Sequence, residues 1–564
     1  MTLFFAPAYS LCATSIRFMV TKLKLQINSI SMGCNFSLNI RPFSYKLGTK
    51  LYLCSLKIKN MSQDVRVRFA PSPTGPLHIG GVRTALYNYL FAKKLKGTFI
   101  LRIEDTDQNR YVPGAEQYII DALNWCGIPY DEGPGKEGGY GPYRQSERKD
   151  KYMAFAEKLV ESNHAYYAFD SATSLDEQRK AAEAKGETFI YNWHNRNELD
   201  NSLNLTEEET RSRIDAGEDF VIRFKSPQDE TLFLHDIIRG AMSIDTNILD
   251  DKVLFKADGM PTYHLANIVD DHLMEITHVI RGEEWLPSLA LHVMLYRAFG
   301  WDAPQFAHLP LIMKPVGKGK LSKRDGDKMG FPVFPLEWKD PKSGDIASGY
   351  REDGYLPEAV INMLAFLGWN PGTEKEIYTL DELVQDFELT RVHKSGAKFD
   401  PEKTKWFQQQ HLQLASDASL VSGLQDILKE KHLDYDDAYV KQIIHLVKER
   451  AVFVSDLFDQ GSFFFERPSS YDEKAAKKAW KDDTGEIMIN LSKIISETED
   501  FSAENLSANV KGWIQNEGLG FGKVMQPLRL SLVGSMSGPD VFDIASTIGK
   551  AKTLERIRFA IETL

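Results

Sequence analysis

The stretch Val65–Asp107, VRVRFAPSPTGPLHIGGVRTALYNYLFAKKLKGTFILRIEDTD, decides the fold of this chain. Apolar side chains at positions 65, 67 and 69 alternate with two arginines, which is the period of a β-strand. The segment 70–76 contains three prolines and cannot continue the strand, because proline has no N–H for the ladder. Apolar residues at helical spacing then predict a helix from about His78 to Leu95, and Gly97 ends it.

A second buried strand, Thr98–Ile103, follows the helix, and acidic residues come just past its end. Strand, turn, helix and strand make one βαβ unit of a parallel sheet. Ligands of such sheets bind beyond the carboxyl ends of the strands and over helix N-termini. His78 lies where the helix dipole favours an anion, and Gly80 and Gly81 let a bulky ligand approach the backbone. The pattern predicts a nucleotide site, although His78 alone is more typical of an ordinary surface histidine before a glycine pair in a loop.

The composition is that of a globular protein with several domains. The chain has 564 residues, 43% hydrophobic and 26% charged, which is enough for three or four domains of roughly 150 residues each. No charge-free apolar run reaches membrane-spanning length, so we expect no membrane helix. The net charge of −11 argues against nonspecific nucleic-acid binding, whereas a specific RNA partner depends on local basic surfaces. The four cysteines form no disulfide framework, which indicates a reducing compartment.

The first sixty residues differ from the rest of the chain. They contain eight Lys or Arg, seven Ser and no acidic residue, which leaves a charge of −19 for the remainder. Organellar transit segments have this composition, and that interpretation would place the protein in a mitochondrion or plastid. The alternative is that translation begins at Met61, directly before the first strand. We favour the second interpretation, in which residues 1–61 are an unstructured or mis-assigned extension and the protein is cytoplasmic.

Two short motifs carry a resemblance to a known family. RFAPSPTGPLHIGG and RIEDTD, both within 65–107, resemble the HIGH region of class I aminoacyl-tRNA synthetases, in the form found in bacterial-type glutamyl-tRNA synthetases. Lys320-Leu-Ser-Lys-Arg324 resembles the KMSKS loop of the same family. Gly81 stands where the general pattern has a second histidine, a departure that glutamyl enzymes often share. The resemblance covers essentially residues 62–564.

The resemblance implies an α/β Rossmann-like catalytic domain with an inserted α+β acceptor-binding domain, followed by an all-α anticodon-binding domain. The expected divisions are the first catalytic half (62–160), the inserted tRNA acceptor-end domain (161–255), the second catalytic half with the KLSKR loop (256–325), a stem-contact or connective region (326–400) and the anticodon-binding domain (401–564). Within 161–255 the residue pattern predicts helices at Leu175–Lys185 and Thr206–Gly217, and then strands. Some relatives hold zinc in this insertion, but Cys or paired His at ligand spacing are missing from it here, so we predict no zinc and no protein metal site.

The implied reaction has two steps and needs no protein nucleophile. Glutamate and ATP give glutamyl-adenylate and pyrophosphate, and glutamate then passes to the 3′ end of tRNA(Glu). Such steps demand positioning and charge stabilisation. The residues expected to be catalytic are His78, Lys320 and Lys323. The residues expected to bind ATP, which arrives with Mg²⁺, are His78, Gly80, Gly81, Glu284, Lys320, Ser322 and Lys323. The residues expected to bind glutamate are Arg68, Ser72, Glu104, Tyr263, Asn267 and Arg281.

Two other functions are compatible with parts of the sequence. A glutaminyl-tRNA synthetase would share the fold but usually ends in β-barrels, whereas residues 401–564 have helical patterns. A catalytically inactive RNA-binding protein would not need His78, Lys320 and Lys323, which are all present. The resemblance implies a monomer with no membrane partner. Whether the enzyme also charges tRNA(Gln), and which residues touch tRNA, is left open by the sequence.

Overall fold

The βαβ unit predicted from residues 65–107 is present. In the computed structural model, which describes residues 64–564, β1 is Arg66–Phe69, α1 is Ile79–Lys94 and β2 is Thr98–Leu101. The two strands pair in parallel. A Cβ on Gly97 would come within 2.2 Å of the Val65 carbonyl oxygen, so glycine lets the chain turn from α1 into β2. The interpretation of residues 1–61 falls outside the described residues.

The remaining elements as far as residue 400 include both helices and strands. The elements that precede residue 256 are α2 (Ala115–Trp125), α3 (Lys149–Glu161), β3 (Ala165–Ala168), α4 (Ala172–Ala184), α5 (Glu207–Asp215), β4 (Val221–Phe224), β5 (Thr231–Asp236), β6 (Gly240–Asp245) and β7 (Val253–Phe255). The elements between 256 and 400 are α6 (Tyr263–Leu273), β8 (His278–Gly282), α7 (Leu289–Ala298), β9 (Gln305–Leu309), β10 (Ile312–Met313), α8 (Lys323–Met329), β11 (Trp338–Lys339), β12 (Ile346–Ala347), α9 (Pro357–Phe366), α10 (Leu380–Asp386) and β13 (Ala397–Lys398).

A six-stranded sheet organises the first part of the molecule. Its strand order is β2-β1-β8-β9-β5-β6, and every neighbouring pair is parallel except β5 with β6. The carboxyl ends of the five parallel strands therefore lie along one edge. Parallel sheets bind their ligands at such an edge.

The hairpin β5–β6 extends this large sheet, although the sequence division places it within the insertion 161–255. Asp236, at the end of β5, pairs with Phe306 of β9. Alternate residues of β5 are buried. That alternation predicts a strand with one covered face, but it does not say which sheet the strand joins.

The rest of the insertion has its own small sheet. Strands β3, β4 and β7 form an antiparallel sheet in that order, and α4 and α5 lie between β3 and β4 in the chain. Helix α5 begins after Thr206, whose side chain caps the helix together with Glu209. Both helices predicted from the sequence are present within three residues of their expected bounds.

Residues 401–564 contain helices and no strand. The helices are α11 (Pro401–Leu414), α12 (Asp417–Glu430), α13 (Asp437–Val447), α14 (Val454–Phe465), α15 (Glu473–Ala479), α16 (Thr484–Glu497), α17 (Ala503–Asn516), α18 (Phe521–Val533), α19 (Val541–Ile548) and α20 (Lys550–Thr563). Leu424, Ile444, Leu491 and Leu528 are among the buried residues of their common core. This all-helical part is what the resemblance to glutamyl-type enzymes predicts.

Candidate active site

A cavity of about 330 Å³ lies at the carboxyl edge of the large sheet. It is enclosed by the segments that follow β1, β2 and β8, by the start of α1 and by the loop before α8. Every residue expected from the sequence to act in the site lines this cavity: Arg68, Ser72, His78, Gly80, Gly81, Glu104, Tyr263, Asn267, Arg281, Glu284, Lys320, Ser322 and Lys323. The structure thus brings together residues separated by up to 255 positions in the chain, while their individual roles stay predictions.

His78 is the N-cap of α1 and does not lie within the helix. Its Nδ1 atom accepts hydrogen bonds from the backbone N–H groups of Gly80 (3.0 Å) and Gly81 (3.3 Å). Because Nδ1 is an acceptor, the ring proton of the neutral imidazole is on Nε2. The ring is exposed to the cavity, so Nε2–H is available as a hydrogen-bond donor.

The glycines after His78 have a steric reason that the sequence did not reveal. A Cβ at Gly80 would come within 2.8 Å of the His78 ring, and one at Gly81 would come within 2.3 Å of Leu77. Gly80 therefore lets the imidazole fold back over the helix start, and Gly81 leaves room for Leu77. The N–H groups of both glycines bind His78, so they do not face a ligand directly.

The charge state of His78 follows from its surroundings. Desolvation by the cavity walls, aided by the Lys320 ammonium, lowers the pKa of His78 below its ordinary value. A second ring proton would also point at the N–H groups of Gly80 and Gly81. His78 is therefore neutral at pH 7, and its donor strength does not depend on a positive charge.

The predicted KLSKR loop supplies the opposite wall of the cavity. The Lys320 ammonium lies 2.9 Å from the carboxylate of Glu284, and both side chains are about half exposed. Ser322 is the N-cap of α8 and its hydroxyl donates to Asp325 at 2.6 Å. Lys323 is the first residue of α8 and is exposed; within residues 64–564 no carboxylate lies at ion-pair distance from it. Lys320 is therefore held by Glu284, whereas Lys323 is not engaged by a described carboxylate, and both line the cavity that contains His78.

Arg68 belongs to a buried network of charges. Its guanidinium donates to both oxygens of Asp271, at 3.0 and 3.3 Å. Arg102 contacts Asp271 at 2.7 Å and Glu104 at 3.0 Å, and the Asn267 amide donates to Glu104 at 2.9 Å. Burial opposes ionisation of Asp271, but Arg68 and Arg102 outweigh it and lower its pKa. Arg68 is thus largely neutralised within the protein.

Glu104 has the opposite electrostatic balance. Burial raises its pKa, although Arg102 and Arg68 work against that shift. One carboxylate oxygen is engaged by Arg102 and Asn267, and the side chain lines the cavity. A cation that enters the cavity would find an acceptor here that is only partly compensated.

Arg281 is a buried cation of the cavity for which residues 64–564 provide no carboxylate partner, as is Arg83, which donates to the carbonyl oxygens of Pro310 and Leu367. The guanidinium of Arg281 donates to the Tyr263 hydroxyl at 3.1 Å and to ring nitrogens of His292 and His308 at 3.1 and 3.0 Å. A long contact of 3.5 Å joins it to the Trp285 carbonyl. These partners are uncharged groups, so an anionic side chain in the cavity would be attracted to Arg281.

An aromatic pair closes the site beside Arg281. The rings of Tyr263 and Trp285 lie 4.2 Å apart between centroids, and Ser72 lines both this cavity and a smaller one that adjoins it. Trp285 is 39% exposed.

Several residues of the site were missed from the sequence. They are Arg102, Asp236, Asp271, Trp285, His292 and His308. All but Trp285 are fully or almost fully buried, and Arg102, His292 and His308 each interrupt an apolar run of the sequence. That interruption was the available signal, because buried charged groups are rare unless they are paired or functional.

Among residues 64–564, no group of three or more His, Cys, Asp or Glu side chains is placed to hold a metal ion. Over the same residues no helix combines the length and the apolar character needed to cross a membrane.

The fold and the site together define a class of nucleotide-dependent enzyme, and comparison with known proteins specifies it. Residues 64–406 match the family model described as tRNA synthetases class I (E and Q), catalytic domain, and residues 418–561 match an anticodon binding domain. The chain belongs to the class I tRNA synthetases of the glutamate and glutamine type. The helical end of the chain corresponds to the anticodon-binding part of that family.

The similar proteins point to the glutamate branch. A glutamate–tRNA ligase of Christiangramia forsetii is 69% identical over 504 residues, which is 89% of this chain and all of that protein. A glutamate–tRNA ligase of Flavobacterium johnsoniae is 62% identical over the same shares. A crystal structure of a glutamate tRNA ligase from Elizabethkingia meningosepticum, in complex with its amino acid, is 57% identical, has a TM-score of 0.86 and covers 89% of this chain and all of its own.

Proposed function

We propose that this protein is a glutamate–tRNA ligase that joins glutamate to tRNA(Glu) in two steps at the cavity described above. The observation that carries the proposal is the arrangement of the cavity. A neutral histidine donor and two lysines face each other on one side, and a buried arginine with no acidic partner lies on the other. Relatives up to 69% identical over their whole length are glutamate–tRNA ligases, which supports the same activity here.

In the first step, an oxygen of the glutamate α-carboxylate attacks the α-phosphorus of ATP. A bond forms between them, and the bond from that phosphorus to the bridging oxygen breaks to release pyrophosphate. Nε2–H of His78 is placed to donate to the phosphate oxygens as negative charge grows. Lys323 and Lys320 follow the phosphates through the transition state, since a mobile ammonium acts as a point charge.

The lysines reach that position by movement of the loop. Gly317 and Gly319 have positive φ angles of 82° and 117°, a backbone conformation that favours glycine. Lys320 is held by Glu284 in a half-exposed ion pair, and such pairs contribute only about 0–1 kcal/mol. The pair therefore yields readily when polyphosphate enters. Glu284 fits as one oxygen contact for the Mg²⁺ that accompanies ATP, because hard cations take carboxylate oxygens.

The glutamate side chain is selected by charge. Arg281 binds the side-chain carboxylate, Glu104 binds the α-ammonium, and Tyr263, Asn267, Ser72 and Arg68 shape the pocket between them. Glutamine would leave the buried Arg281 without an anion, and unpaired buried polar groups give strong discrimination. This preference needs no separate editing site.

In the second step, a hydroxyl of the terminal tRNA ribose attacks the acyl carbon of the adenylate. The ester bond forms, the bond from the acyl carbon to the phosphate oxygen breaks, the hydroxyl proton passes to the departing phosphate, and AMP leaves. We assign the small sheet β3-β4-β7 with α4 and α5 to the acceptor end of the tRNA. We also infer a monomer that acts in the cytoplasm, on the basis of the bacterial relatives.

The test is charging of two purified transcripts, tRNA(Glu) and tRNA(Gln), with labelled glutamate or glutamine. Glutamate on tRNA(Glu) alone is expected of a discriminating ligase, and glutamate on both would keep the chemistry but imply a partner that amidates the product. Failure to charge either transcript, with tRNA binding retained, would overturn the proposal in favour of an RNA-binding protein.

A further inference from the structure

The partners of Arg281 fix the protonation of two buried histidines. A guanidinium has only N–H donors, so each ring nitrogen that contacts it must be an acceptor. Nε2 of His308 contacts Nε of Arg281 at 3.0 Å, and Nδ1 of His292 contacts Nη1 at 3.1 Å. Neither nitrogen can carry a proton while these contacts exist, so both histidines are neutral.

The second ring nitrogen of His308 is fixed from behind. Because its Nε2 is bare, its proton is on Nδ1, which donates to Oδ2 of Asp236 at 2.7 Å. His308 and Asp236 have no solvent exposure at all. Burial lowers the pKa of His308, and the bonds from His308 help to lower that of Asp236. Both shifts agree with a neutral ring held by an ionised carboxylate.

Asp236 is itself held in one state. Its Oδ1 accepts from the backbone N–H groups of Ile238 (2.9 Å) and Arg239 (2.8 Å). Its Oδ2 accepts from the His308 backbone N–H at 3.0 Å as well as from the ring. Four donors therefore point at the two oxygens, and a side chain that carried a proton here would meet a donor on either side.

His292 contacts Arg281 through one ring nitrogen and His264 through the other. Its Nε2–H is 3.2 Å from Nδ1 of His264, and burial lowers the pKa of both rings. Two neutral imidazoles thus hold Arg281 in place. The carboxylate of Asp236 contacts the His308 ring, which lies between it and Arg281.

We propose that Asp236 and His308 are positioning residues that hold Arg281 in a fixed direction without cancelling its charge, and thereby set the preference for a carboxylate over an amide. The proposal rests on the proposed function, since it takes glutamate as the substrate. A direct aspartate partner would fix Arg281 equally well but would neutralise it. An imidazole between them transmits the position and leaves the charge for the ligand.

The fold explains why this arrangement depends on β5. Arg281 and His308 are register partners on β8 and β9, and Asp236 reaches His308 because β5 pairs with β9. Strand β5 thus places the carboxylate of Asp236 behind His308, which in turn contacts Arg281. Asp236 can contact His308 only because β5 belongs to the large sheet.

The first test measures protonation in the wild-type protein. With ¹⁵N-labelled histidine, two-bond ¹H–¹⁵N spectra distinguish the two neutral ring forms and the imidazolium. The signal of His308, assigned with His308→Gln, is expected to show the Nδ1–H form from pH 6 to pH 8. An Nε2–H form or an imidazolium would overturn the proposal without any variant having to fold.

The second test is Asp236→Asn, which is isosteric. If the amide oxygen of asparagine keeps accepting from the N–H groups of Ile238 and Arg239, its NH2 group faces the His308 ring. Nδ1 of His308 must then accept a hydrogen bond, so the ring proton moves to Nε2. That proton would point at the Nε–H group of Arg281. We expect the KM for glutamate to rise at least tenfold in tRNA-dependent ATP–pyrophosphate exchange, with kcat within threefold. A KM within twofold of wild type would contradict the proposal.

Asp251→Asn is the matched control for loss of a buried aspartate. Asp251 has no solvent exposure and accepts from Tyr166, Arg196 and Ser226, none of which is among the hydrogen-bond partners of Arg281. At saturating tRNA its KM for glutamate is expected to be unchanged, even if its unfolding temperature falls as much as that of Asp236→Asn.

A pair of substitutions at position 308 separates positioning from packing. His308→Gln keeps an oxygen acceptor for Arg281, whereas His308→Leu has similar volume and none. We expect the leucine variant to have at least a fivefold higher KM for glutamate than the glutamine variant. Equal values would reduce His308 to a packing role. If the wild-type protein itself fails to charge glutamate, the proposed function fails first, and the two failures are thereby distinguished.

Discussion

Replacing His78 separates its two roles, because the two ring nitrogens have different tasks. Nδ1 caps α1 through Gly80 and Gly81, and Nε2–H faces the cavity. In His78→Asn the side-chain oxygen occupies nearly the position of Nδ1, and asparagine is among the best N-cap residues. The substitution therefore preserves the cap and removes only the donor at the far side of the ring. His78→Ala removes both.

The expected sizes differ for activity and stability. Loss of one preorganised donor to developing charge costs about 2.7–4 kcal/mol, or roughly 10²- to 10³-fold in rate. Loss of an N-cap costs about 0.5–2 kcal/mol of stability. We expect both variants to lose activity to a similar extent, and only the alanine variant to unfold at a clearly lower temperature.

The assay is tRNA-dependent ATP–pyrophosphate exchange at saturating glutamate and tRNA, with thermal unfolding measured on the same preparations. His164→Asn is a suitable control, since His164 is exposed and its ring contacts Ser162 at 3.0 Å. If His78→Asn retains more than a third of the wild-type exchange rate, Nε2 does not act on the phosphates. If the two His78 variants unfold at the same temperature, the capping argument is wrong.

Three further predictions concern the loop, the ammonium site and pH. Lys323→Ala should lower exchange at least a hundredfold while tRNA binding stays within a few-fold, and wild-type-like exchange would remove the loop from the mechanism; Lys342→Ala, on an exposed turn, is the control. Glu104→Gln should raise the KM for glutamate about 10- to 100-fold, because bonds to charged groups contribute about 1.5–3 kcal/mol; an unchanged KM would show that the α-ammonium binds elsewhere. Burial lowers the pKa of His264 and His278 to about 4, so the unfolded chain binds more protons than the folded one between pH 4 and 6.5. Their stabilisation is complete above pH 6.5 and is lost as the pH falls toward 4; thermal unfolding from pH 8 to 4.5 should show that decline, and higher stability at pH 5 than at pH 7 would contradict it.

Much of the site could be predicted from local sequence. The alternation around Arg66–Phe69, the prolines and the helix start at His78 fix a βαβ unit, and that unit places the ligand at one edge of a parallel sheet. The second motif, around Lys320–Arg324, has the mobility and charge expected of a loop that meets phosphate. Local pattern suffices in these cases because strand period, proline and helix capping act over a few residues.

Other features could not be predicted because they depend on contacts between distant residues. The period of β5 predicts a half-buried strand but does not tell that it joins β9. Arg68 and Arg281 look alike in sequence, yet Asp271 neutralises one and neutral imidazoles hold the other. The reason for glycine at positions 80 and 81 is the fold of His78 and Leu77 over them, which requires the side-chain positions.

The sequence by itself determined the βαβ framework and the all-helical end, since these follow from periodicity, and its resemblance to a known family pointed to the residues around the cavity. Only the tertiary structure decided which charges are compensated. Asp236, His292 and His308 are brought to Arg281 by strand order and helix packing, and electrostatic energy depends on the distance and burial of each partner. The uncompensated charge of Arg281 therefore depends on the tertiary structure and not on the local sequence.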